Sequence, residues 1–218
     1  MTNAQITQGP ASIESAVDEV LAAPGVVDAA IKAEADGAQA IVIDCMLDPG
    51  LDAAREAVSI PVIGCGEAAM RSVGAKFAVV TVLQRQERAF ADLARKYGLA
   101  DRMTETIGIG VPVLALETDR ETALAATIEG SKKAVIGGAT SIVFGCTGML
   151  GFGDEVRAAL DAIKVIDPLP NAIAFAHAAV QSGEKTDKTI YPYPEAKAIA
   201  GFDEWPALDA LMRGQRDD

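Results

Sequence analysis

Two cysteines stand at the same position of an internal repeat. One segment reads GAQAIVIDC (37–45) and the other reads GATSIVFGC (138–146). Both begin with Gly-Ala, both carry Ile-Val at the fifth and sixth positions, and both end in cysteine at the ninth. Because each segment is an apolar, strand-like run, Cys45 and Cys146 are predicted to lie at the carboxyl ends of two strands, where α/β folds bind ligands.

Two thiols that face each other can racemise a carbon centre. Racemisation removes a proton from one face of the carbon and returns a proton to the other, so two acid/base groups on opposite faces are the direct solution. Cysteine suits this task because its ordinary pKa of about 8.5 lies near the working pH. Amides at a helix N-terminus lower a thiol pKa further and can hold an enolate oxygen. The repeat therefore predicts that Cys45 and Cys146 act as acid and base. The alternative interpretation is two similar βα units whose cysteines coincide.

The elements that must position these cysteines alternate between apolar runs and helical segments. Strands are predicted at AIVID (40–44), IPVIG (60–64), FAVVTV (77–82), 104–108, SIVFG (141–145) and KVID (164–167). Helices are predicted at 49–58, 67–73, 85–97, 119–136, 153–162 and 168–182, followed by an irregular tail from Gly183. This alternation indicates an α/β fold with parallel sheets, and the repeat suggests two half-domains related by a pseudo-twofold axis.

Composition excludes several classes of protein. The chain has 218 residues, is 50% hydrophobic and carries a formal net charge of −12, so neither nucleic acid nor an anionic membrane surface is expected as a partner. No run approaches the roughly 18 apolar residues of a membrane helix. No signal peptide is visible, and three cysteines then suggest reduced thiols in a cytoplasm. His177 is the single histidine, which removes most histidine-based mechanisms and metal sites.

The segments around both cysteines resemble a known family. DCMLDPGLDAAREAVSIPVIGCGEAAM (44–70) strongly resembles the first cysteine motif of hydantoin and allantoin racemases, in the aspartate/glutamate/hydantoin racemase superfamily. KFAVVTVL (76–83) and IVFGCTGM (142–149) are similar to the later motifs, and GPASIE (9–14) resembles the region near the family's second strand. The resemblance covers most of residues 9–182.

Details of the second motif favour one branch of that superfamily. The Gly-Cys-Thr signature reappears as Gly145-Cys146-Thr147, but Gly148 follows where glutamate racemases carry histidine. This difference favours the hydantoin-type branch. Both cysteines are present, which argues against a decarboxylase of the arylmalonate type, because that enzyme resembles the fold but lacks the first cysteine.

The resemblance implies a site as well as a fold. It implies one half-domain formed by residues 1–75 plus 168–218 and a second formed by 76–167, with the active-site cleft between them. It implies a small-molecule substrate, no metal, no organic cofactor and a homo-oligomer. Backbone amides and hydroxyls after each cysteine would hold the substrate carbonyl groups, and a threonine at the end of a third strand would line the cleft; these residues are Met46, Leu47, Thr147, Gly148 and Thr81.

One feature of the family has no counterpart in this sequence. Family members begin with a strand followed by an Asn-Pro-Asn turn that contributes to the substrate pocket, whereas this chain resembles them from near their second strand onward. We therefore expect the first half-domain to lack one strand and the pocket to be open along one wall.

Four further candidates are interpreted as structural. Cys65 is expected to be a small core residue, and His177 a packing or surface residue on an apolar helix. Asp48, before Pro49, is expected to cap the helix that follows, rather than to orient a thiol. GCGEAA (64–69) fits G-x-G-x-x-A, but the glycines are more simply explained by a tight turn than by dinucleotide binding.

The sequence thus predicts a cofactor-independent racemase of a small cyclic amide, either a 5-substituted hydantoin or allantoin. Two alternatives remain at this point. One is a racemase of free aspartate or glutamate, and the other is a non-catalytic small-molecule-binding protein with the same fold. A redox role for the thiols is less well supported because the chain contains no Cys-x-x-Cys.

Overall fold

A computed structural model describes residues 1–160 and 163–197, together with 205, 206, 210, 213 and 214. Its strands are β1 (Ile41–Ile43), β2 (Val62–Gly64), β3 (Phe77–Thr81), β4 (Met103–Gly108), β5 (Ser141–Phe144) and β6 (Lys164–Ile166). Its α-helices are α1 (Ala16–Ala35), α2 (Leu51–Ala57), α3 (Cys65–Arg71), α4 (Glu87–Lys96), α5 (Ala115–Thr118), α6 (Arg120–Ile136), α7 (Gly153–Ala159) and α8 (Pro168–Ser182).

The strands form two separate parallel sheets. β1 pairs with β2, and the second sheet has the order β4-β3-β5-β6 with every pair parallel. The predicted fold class is therefore confirmed: the protein is an α/β protein in which two short parallel sheets are flanked by helices. The boundaries of the two half-domains, 1–75 plus 168–218 and 76–167, stay a prediction.

The apolar character of the strands explains their central position. Every residue of β3 and of β5 is buried, as expected for strands covered by helices on both faces. Phe77 and Val79 of β3 face one hydrophobic cluster, whereas Ala78 and Val80 face another. This alternation lets β3 join the core that contains α3 to the core beneath α6. Helix α8 packs against α3 after the chain has left the second sheet.

Most predicted elements are confirmed with small differences at their ends. All six predicted strands are present, and α8 has the predicted bounds 168–182. The segment predicted as one helix over 85–97 begins as a 3₁₀ turn at Gln84–Gln86 before α4. Residues 161 and 162 of the predicted helix 153–162 lie outside the described residues, as do most residues of the predicted irregular tail beyond 197.

Helix α1 is the main element that the sequence analysis did not predict. Ser15 caps it by accepting a hydrogen bond from the Asp18 backbone N–H, and its hydroxyl donates to the Asp18 carboxylate over 2.7 Å. The helix continues through Pro24, a residue that normally interrupts a helix. The described chain before β1 contains no strand, so GPASIE (9–14) forms an irregular segment instead.

Asp48 was predicted to cap α2, and this prediction is wrong because Asp48 caps a different helix. Helix α2 begins at Leu51 after Gly50, and no side chain caps it. The Asp48 carboxylate instead accepts hydrogen bonds from the backbone N–H groups of Gly66 and Glu67, at 2.8 and 2.7 Å, and so caps α3. A dinucleotide phosphate would need these same amides, which agrees with the structural interpretation of GCGEAA (64–69).

Among the described residues, no helix is both long enough and apolar enough to cross a membrane.

Candidate active site

Each predicted catalytic cysteine lies two residues beyond the end of a strand, but the two strands belong to different sheets. Cys45 follows β1 and Cys146 follows β5. The two turns touch, because the Thr147 hydroxyl donates to the carbonyl oxygen of Asp44 over 3.5 Å. The structure therefore brings the two halves of the sequence repeat together at one place.

Backbone amides that follow each cysteine point to its sulfur atom. The N–H of Leu47 donates toward the Cys45 thiol, and the N–H groups of Gly148 and Met149 donate toward Cys146. Hydrogen bonds of this kind stabilise a thiolate, so they act in the direction predicted from the sequence. They also mean that the amides of residues 47 and 148 already have an acceptor in the free protein.

Burial outweighs the amides and raises the pKa of both thiols. Loss of solvent is the main reason that the pKa of Cys45 rises to about 12, and the charge of the Cys146 thiolate adds to that shift. Burial also raises the pKa of Cys146, to about 11. The net shift is thus opposite to the lowering expected for a thiol beside helix amides.

Carboxylates surround the two thiols and add to their raised pKa values. After burial and the neighbouring thiol, the charges of Asp48 and Glu19 raise the pKa of Cys45. After burial, the charges of Asp44 and Glu14 raise the pKa of Cys146. The site is therefore negatively charged even before a thiolate forms.

A cleft with a volume of about 450 Å³ lies beside Cys146. Most of its wall is apolar, and one arginine, two carboxylates and the second cysteine turn complete it: Val113, Leu116, Leu150, Phe152, Leu169, Arg120, Asp44, Glu117, Cys146, Thr147 and Gly148. The guanidinium of Arg120 stacks on Phe152 at 4.6 Å and donates to the carbonyl oxygen of Gly151. A cleft of this size and composition suits a small, mostly neutral molecule.

The predicted substrate-binding residues differ in their positions. Thr147 and Gly148 line the cleft. Met46 and Leu47 have buried side chains, with 2% and 8% of their surface exposed, so only their main-chain atoms can take part in binding. Their contact with substrate stays a prediction.

Thr81 lies behind the second cysteine turn. Its side chain is fully buried, and its hydroxyl lies 2.7 Å from Oε1 of Gln86 and 3.2 Å from the carbonyl oxygen of Gly145. The amide of Gln86 in turn donates to the carbonyl oxygen of Ile13 over 3.4 Å. Thr81 thus supports the residue before Cys146, and its predicted role in lining the cleft stays a prediction.

Gly148 has little free space around its Cα atom. A Cβ atom at this position would lie 2.9 Å from Cδ1 of Leu116 and 3.4 Å from Sγ of Cys146. The first distance is too short for a normal contact, so any larger side chain requires Leu116 to move. The difference between glycine here and the histidine of glutamate racemases therefore changes the shape of this cleft.

A second cleft, of about 620 Å³, is larger but contains neither predicted catalytic cysteine. Arg71, Lys96, Tyr97 and Arg102 line it together with three apolar side chains. Arg71 and Lys96 are paired with Glu67 and Asp52, respectively. Chemistry rather than volume therefore selects the smaller cleft beside Cys146 as the candidate active site.

The remaining candidates take structural positions. Cys65 is fully buried in the core, as predicted, and His177 is exposed on α8. Within the described part of the chain, no group of histidine, cysteine and acidic side chains has the arrangement of a metal site.

Sequence reasoning missed the segment that carries two of the carboxylates affecting the thiols. Glu14 and Glu19 act on Cys146 and Cys45, respectively, and the carboxylate of Glu14 accepts a hydrogen bond from the Val113 backbone N–H over 2.8 Å. The Ser-x-x-Asp pattern at residues 15–18 is a helix-start signal that could have located α1. Arg120 and Leu116 carried no comparable signal.

Comparison with known proteins decides the family. Residues 2–176 match the family model described as Asp/Glu/Hydantoin racemase, and this region includes both cysteine turns. The chain belongs to the Asp/Glu/hydantoin racemase family. The resemblance predicted from the two cysteine motifs is therefore confirmed, and so is the enzyme class, an isomerase of the racemase type.

Members of this family with similar sequences and structures agree with that assignment. A hydantoin racemase from Pseudomonas sp. (strain NS671) is 39% identical over 212 residues, which are 95% of this chain and 83% of that protein. The structure of an allantoin racemase from Klebsiella pneumoniae is 35% identical, with a TM-score of 0.85 over 90% of this chain and 82% of that one. Allantoin racemase from Pseudomonas fluorescens is 27% identical, with a TM-score of 0.86 over 92% and 86%.

Proposed function

We propose that this protein racemises a small cyclic amide, a 5-substituted hydantoin or allantoin, and that Cys45 and Cys146 are its two acid/base groups. The observation that carries the proposal is the meeting of two cysteine turns from separate sheets, joined by the hydrogen bond from the Thr147 hydroxyl to the carbonyl oxygen of Asp44. The similar proteins, a hydantoin racemase and an allantoin racemase, support the substrate class.

In the proposed reaction, one proton leaves the α-carbon and another proton is then added to the same carbon. A thiolate forms an S–H bond as the α-carbon C–H bond breaks, and the electron pair passes to the adjacent carbonyl as an enolate. The opposite thiol then gives its proton to the other face of the carbon and becomes the thiolate. Cys45 and Cys146 exchange these roles according to the enantiomer bound. Protons and electrons balance on the two thiols, so we propose no cofactor or metal for this step.

The charge of the site favours a neutral ring over a free amino acid. Asp44 and Glu117 line the cleft, and Glu14 and Glu19 lie near the thiols. The cationic side chain of the lining, Arg120, is engaged with Gly151 and lies 3.5 Å from a carboxylate oxygen of Glu155. The carboxylate of an amino-acid substrate would thus enter a field of like charge, whereas a hydantoin ring brings no such charge.

The proposal is tested by proton NMR in D₂O, with single enantiomers of 5-benzylhydantoin and of allantoin and with the enzyme-free rate subtracted. We expect enzyme-dependent loss of the α-proton signal together with loss of optical rotation. Cys45→Ser and Cys146→Ser should each lower the racemisation rate by roughly 10²–10⁴-fold, because a serine hydroxyl is a much weaker acid. Each variant should still exchange the α-proton of the enantiomer whose proton faces the remaining thiol.

Cys65→Ser is the control for the third thiol, which is fully buried and accepts a hydrogen bond from the Cys45 backbone N–H, because this variant removes a thiol without removing either proposed acid/base group. It should retain racemase activity. Wild-type racemisation rates in Cys45→Ser or Cys146→Ser would refute the two-thiol mechanism.

The same assay separates the two alternative functions. An aspartate or glutamate racemase would exchange the α-proton of the free amino acid and leave the hydantoins unchanged. A non-catalytic binding protein would be stabilised against heat by a hydantoin without exchanging its α-proton. The acidic site argues against the first alternative, and the paired thiols argue against the second.

We further propose a cytoplasmic location and a homo-oligomeric state, with no nucleic-acid or membrane partner. All three cysteines are free, which fits a reducing compartment. The net charge of −12 disfavours polyanionic partners. Light scattering coupled to size-exclusion chromatography tests the oligomeric state, and a monomer at micromolar concentration would contradict it.

A further inference from the structure

Asp48 is a buried carboxylate that the proposed reaction does not use. It lies three residues after Cys45 in the loop between β1 and α2, and only 7% of its surface is exposed. Its backbone φ of 50° falls in the left-handed region, where it is the sole non-glycine residue in the described parts of the chain. A β-carbon makes this conformation unfavourable, so the surrounding contacts must hold it.

Three donors hold the Asp48 carboxylate in place. The backbone N–H of Gly66 donates to Oδ1 over 2.8 Å, and that of Glu67 donates to Oδ2 over 2.7 Å. The Tyr97 hydroxyl, at the end of α4, donates to Oδ2 over 3.3 Å. Both oxygen atoms are therefore hydrogen-bonded within the protein, and Asp48 is not among the residues that line the cleft.

The packing around this carboxylate leaves no room for side chains on the neighbouring turn. A Cβ atom at Gly64 would clash with the Asp48 carboxyl group. A Cβ atom at Gly66 would clash with the carbonyl oxygen of Met46 and lie 2.9 Å from Oδ2 of Asp48. The two glycines of GCG (64–66) thus let the loop after Cys45 lie directly on the start of α3.

Main-chain contacts connect Asp48 to the reactive sulfur. The Asp48 N–H donates to the carbonyl oxygen of Cys45 over 3.2 Å, and the intervening Leu47 N–H donates toward the Cys45 thiol. The side chain of Asp48 thus fixes one end of a short turn whose other end carries the thiol.

A carboxylate is an unfavourable choice for a purely structural contact here. Burial is the main reason that the pKa of Asp48 rises to about 7, even though the amides of Gly66 and Glu67 oppose the shift. The charge of Asp48 also contributes to the raised pKa of Cys45, so it makes the neighbouring thiolate harder to form. The arrangement thus holds the turn in a fixed position but makes the Cys45 thiol a weaker acid.

We propose that Asp48, held by Tyr97 and the first amides of α3, is a positioning residue that fixes the Cys45 thiol against the reacting carbon. The proposal rests on the function assigned to Cys45 above. It assigns no proton transfer to Asp48, which lies outside the lining of the cleft.

The test compares Asp48→Asn, Tyr97→Phe and the control Asp52→Asn. Asp52 is a half-exposed carboxylate at the start of α2 whose partners are Arg55 and Lys96. Asp48→Asn keeps the size of the side chain but leaves one acceptor oxygen for two amides. It also removes the charge that opposes a Cys45 thiolate, so electrostatics alone predicts an unchanged or higher kcat.

A positioning role for Asp48 predicts the opposite change, a lower kcat. In Asp48→Asn we expect kcat to fall by roughly tenfold or more with KM within about threefold of the wild type, because small misplacements of a catalytic group carry large rate losses. Tyr97→Phe, which keeps the charge, should lower kcat by a smaller factor. Asp52→Asn should match the wild type. Wild-type kcat in folded Asp48→Asn and Tyr97→Phe would overturn the proposal.

A second readout does not depend on activity. Hydrogen–deuterium exchange of the peptide spanning residues 45–50 should become faster in Asp48→Asn and in Tyr97→Phe, while exchange of residues 146–150 stays at the wild-type rate. If residues 45–50 exchanged at the same rate in the wild type and in both variants, the proposal would be overturned. If the wild-type protein failed to racemise any hydantoin, the proposed function would fail, but the exchange measurement would still decide whether Asp48 holds the Cys45 turn. Tyr97→Phe keeps this test open if Asp48→Asn does not fold.

Discussion

At the scale of single residues, the two thiols are alike both in their chemistry and in their surroundings. Both are removed from water, both face amides, and both are surrounded by carboxylates. Burial dominates because an ionised sulfur loses more from desolvation than one or two hydrogen bonds return. The free protein therefore holds both groups mainly as thiols at neutral pH, although the proposed reaction needs one thiolate and one thiol.

The raised pKa values predict an alkaline pH dependence. A raised pKa means that the thiol keeps its proton until higher pH, so kcat/KM should keep increasing above pH 9 instead of levelling near the ordinary thiol pKa of about 8.5. The measurement is kcat/KM from pH 6 to 10.5, with the non-enzymatic rate subtracted at each pH. The rate at which iodoacetamide alkylates Cys45 and Cys146, followed by mass spectrometry over the same pH range, reports the ionisation of the two thiols in the absence of substrate. A plateau below pH 9 in both experiments would contradict the dominance of burial.

At the scale of elements, the site depends on helix α1 and on the irregular segment before it. Glu14 and Glu19 come from this region, and Glu14 also bonds to the backbone of Val113 in the second half of the chain. The cap formed by Ser15 sets where the irregular segment ends and the helix begins. A local signal of four residues thus sets the start of the helix beside which both carboxylates lie.

Ser15→Ala should destabilise the protein and leave its chemistry intact. Loss of an N-cap hydroxyl typically lowers the free energy of unfolding by about 1 kcal/mol. Urea unfolding followed by circular dichroism measures the change, and kcat of the folded variant should stay within about twofold of the wild type. Ser12→Ala, in the same irregular segment, is the control and should have the stability of the wild type. Equal stability of both variants would mean that the Ser15 cap contributes nothing to folding.

The sequence predicts those parts of the structure whose patterns are local in the chain, and it does not predict contacts between residues far apart. The strands and α8 were predictable because buried parallel strands are continuous apolar runs, and Pro168 marks a helix start. Cys45 and Cys146 were predictable because the repeat places them in register. Helix α1 was missed because Pro24 conceals its continuity. The target of the Asp48 cap was not predictable, because the amides that it binds lie 18 and 19 residues further along the chain.

For the molecule as a whole, the net charge of −12 and the carboxylates around the cleft act in the same direction. Like charges repel anionic molecules before they reach the site, and salt weakens this effect because the screening length shortens. The engagement of Arg120 with Gly151, and its approach to Glu155, reduce the attraction that it offers to an anion.

Two nearly isosteric substrates can measure this field. The hydantoin with a carbamoylmethyl group at carbon 5 is neutral, and the one with a carboxymethyl group is anionic at pH 8. We expect kcat/KM to be roughly tenfold lower for the anion in 10 mM salt and the difference to shrink in 500 mM salt, where charges are screened over about 4 Å. Glu117→Gln should reduce the difference, and Glu121→Gln, outside the cleft lining, should not. A higher kcat/KM for the anionic substrate would show that the charge of Arg120 dominates the electrostatic potential of the site.

Under the proposed mechanism, the free enzyme exists in two forms, one with its thiolate at Cys45 and one with its thiolate at Cys146. Each form is prepared for one enantiomer, and each turnover leaves the enzyme prepared for the mirror image. The protein carries a record of the last molecule that it converted, and this record is erased only when a proton passes between the sulfurs or through solvent.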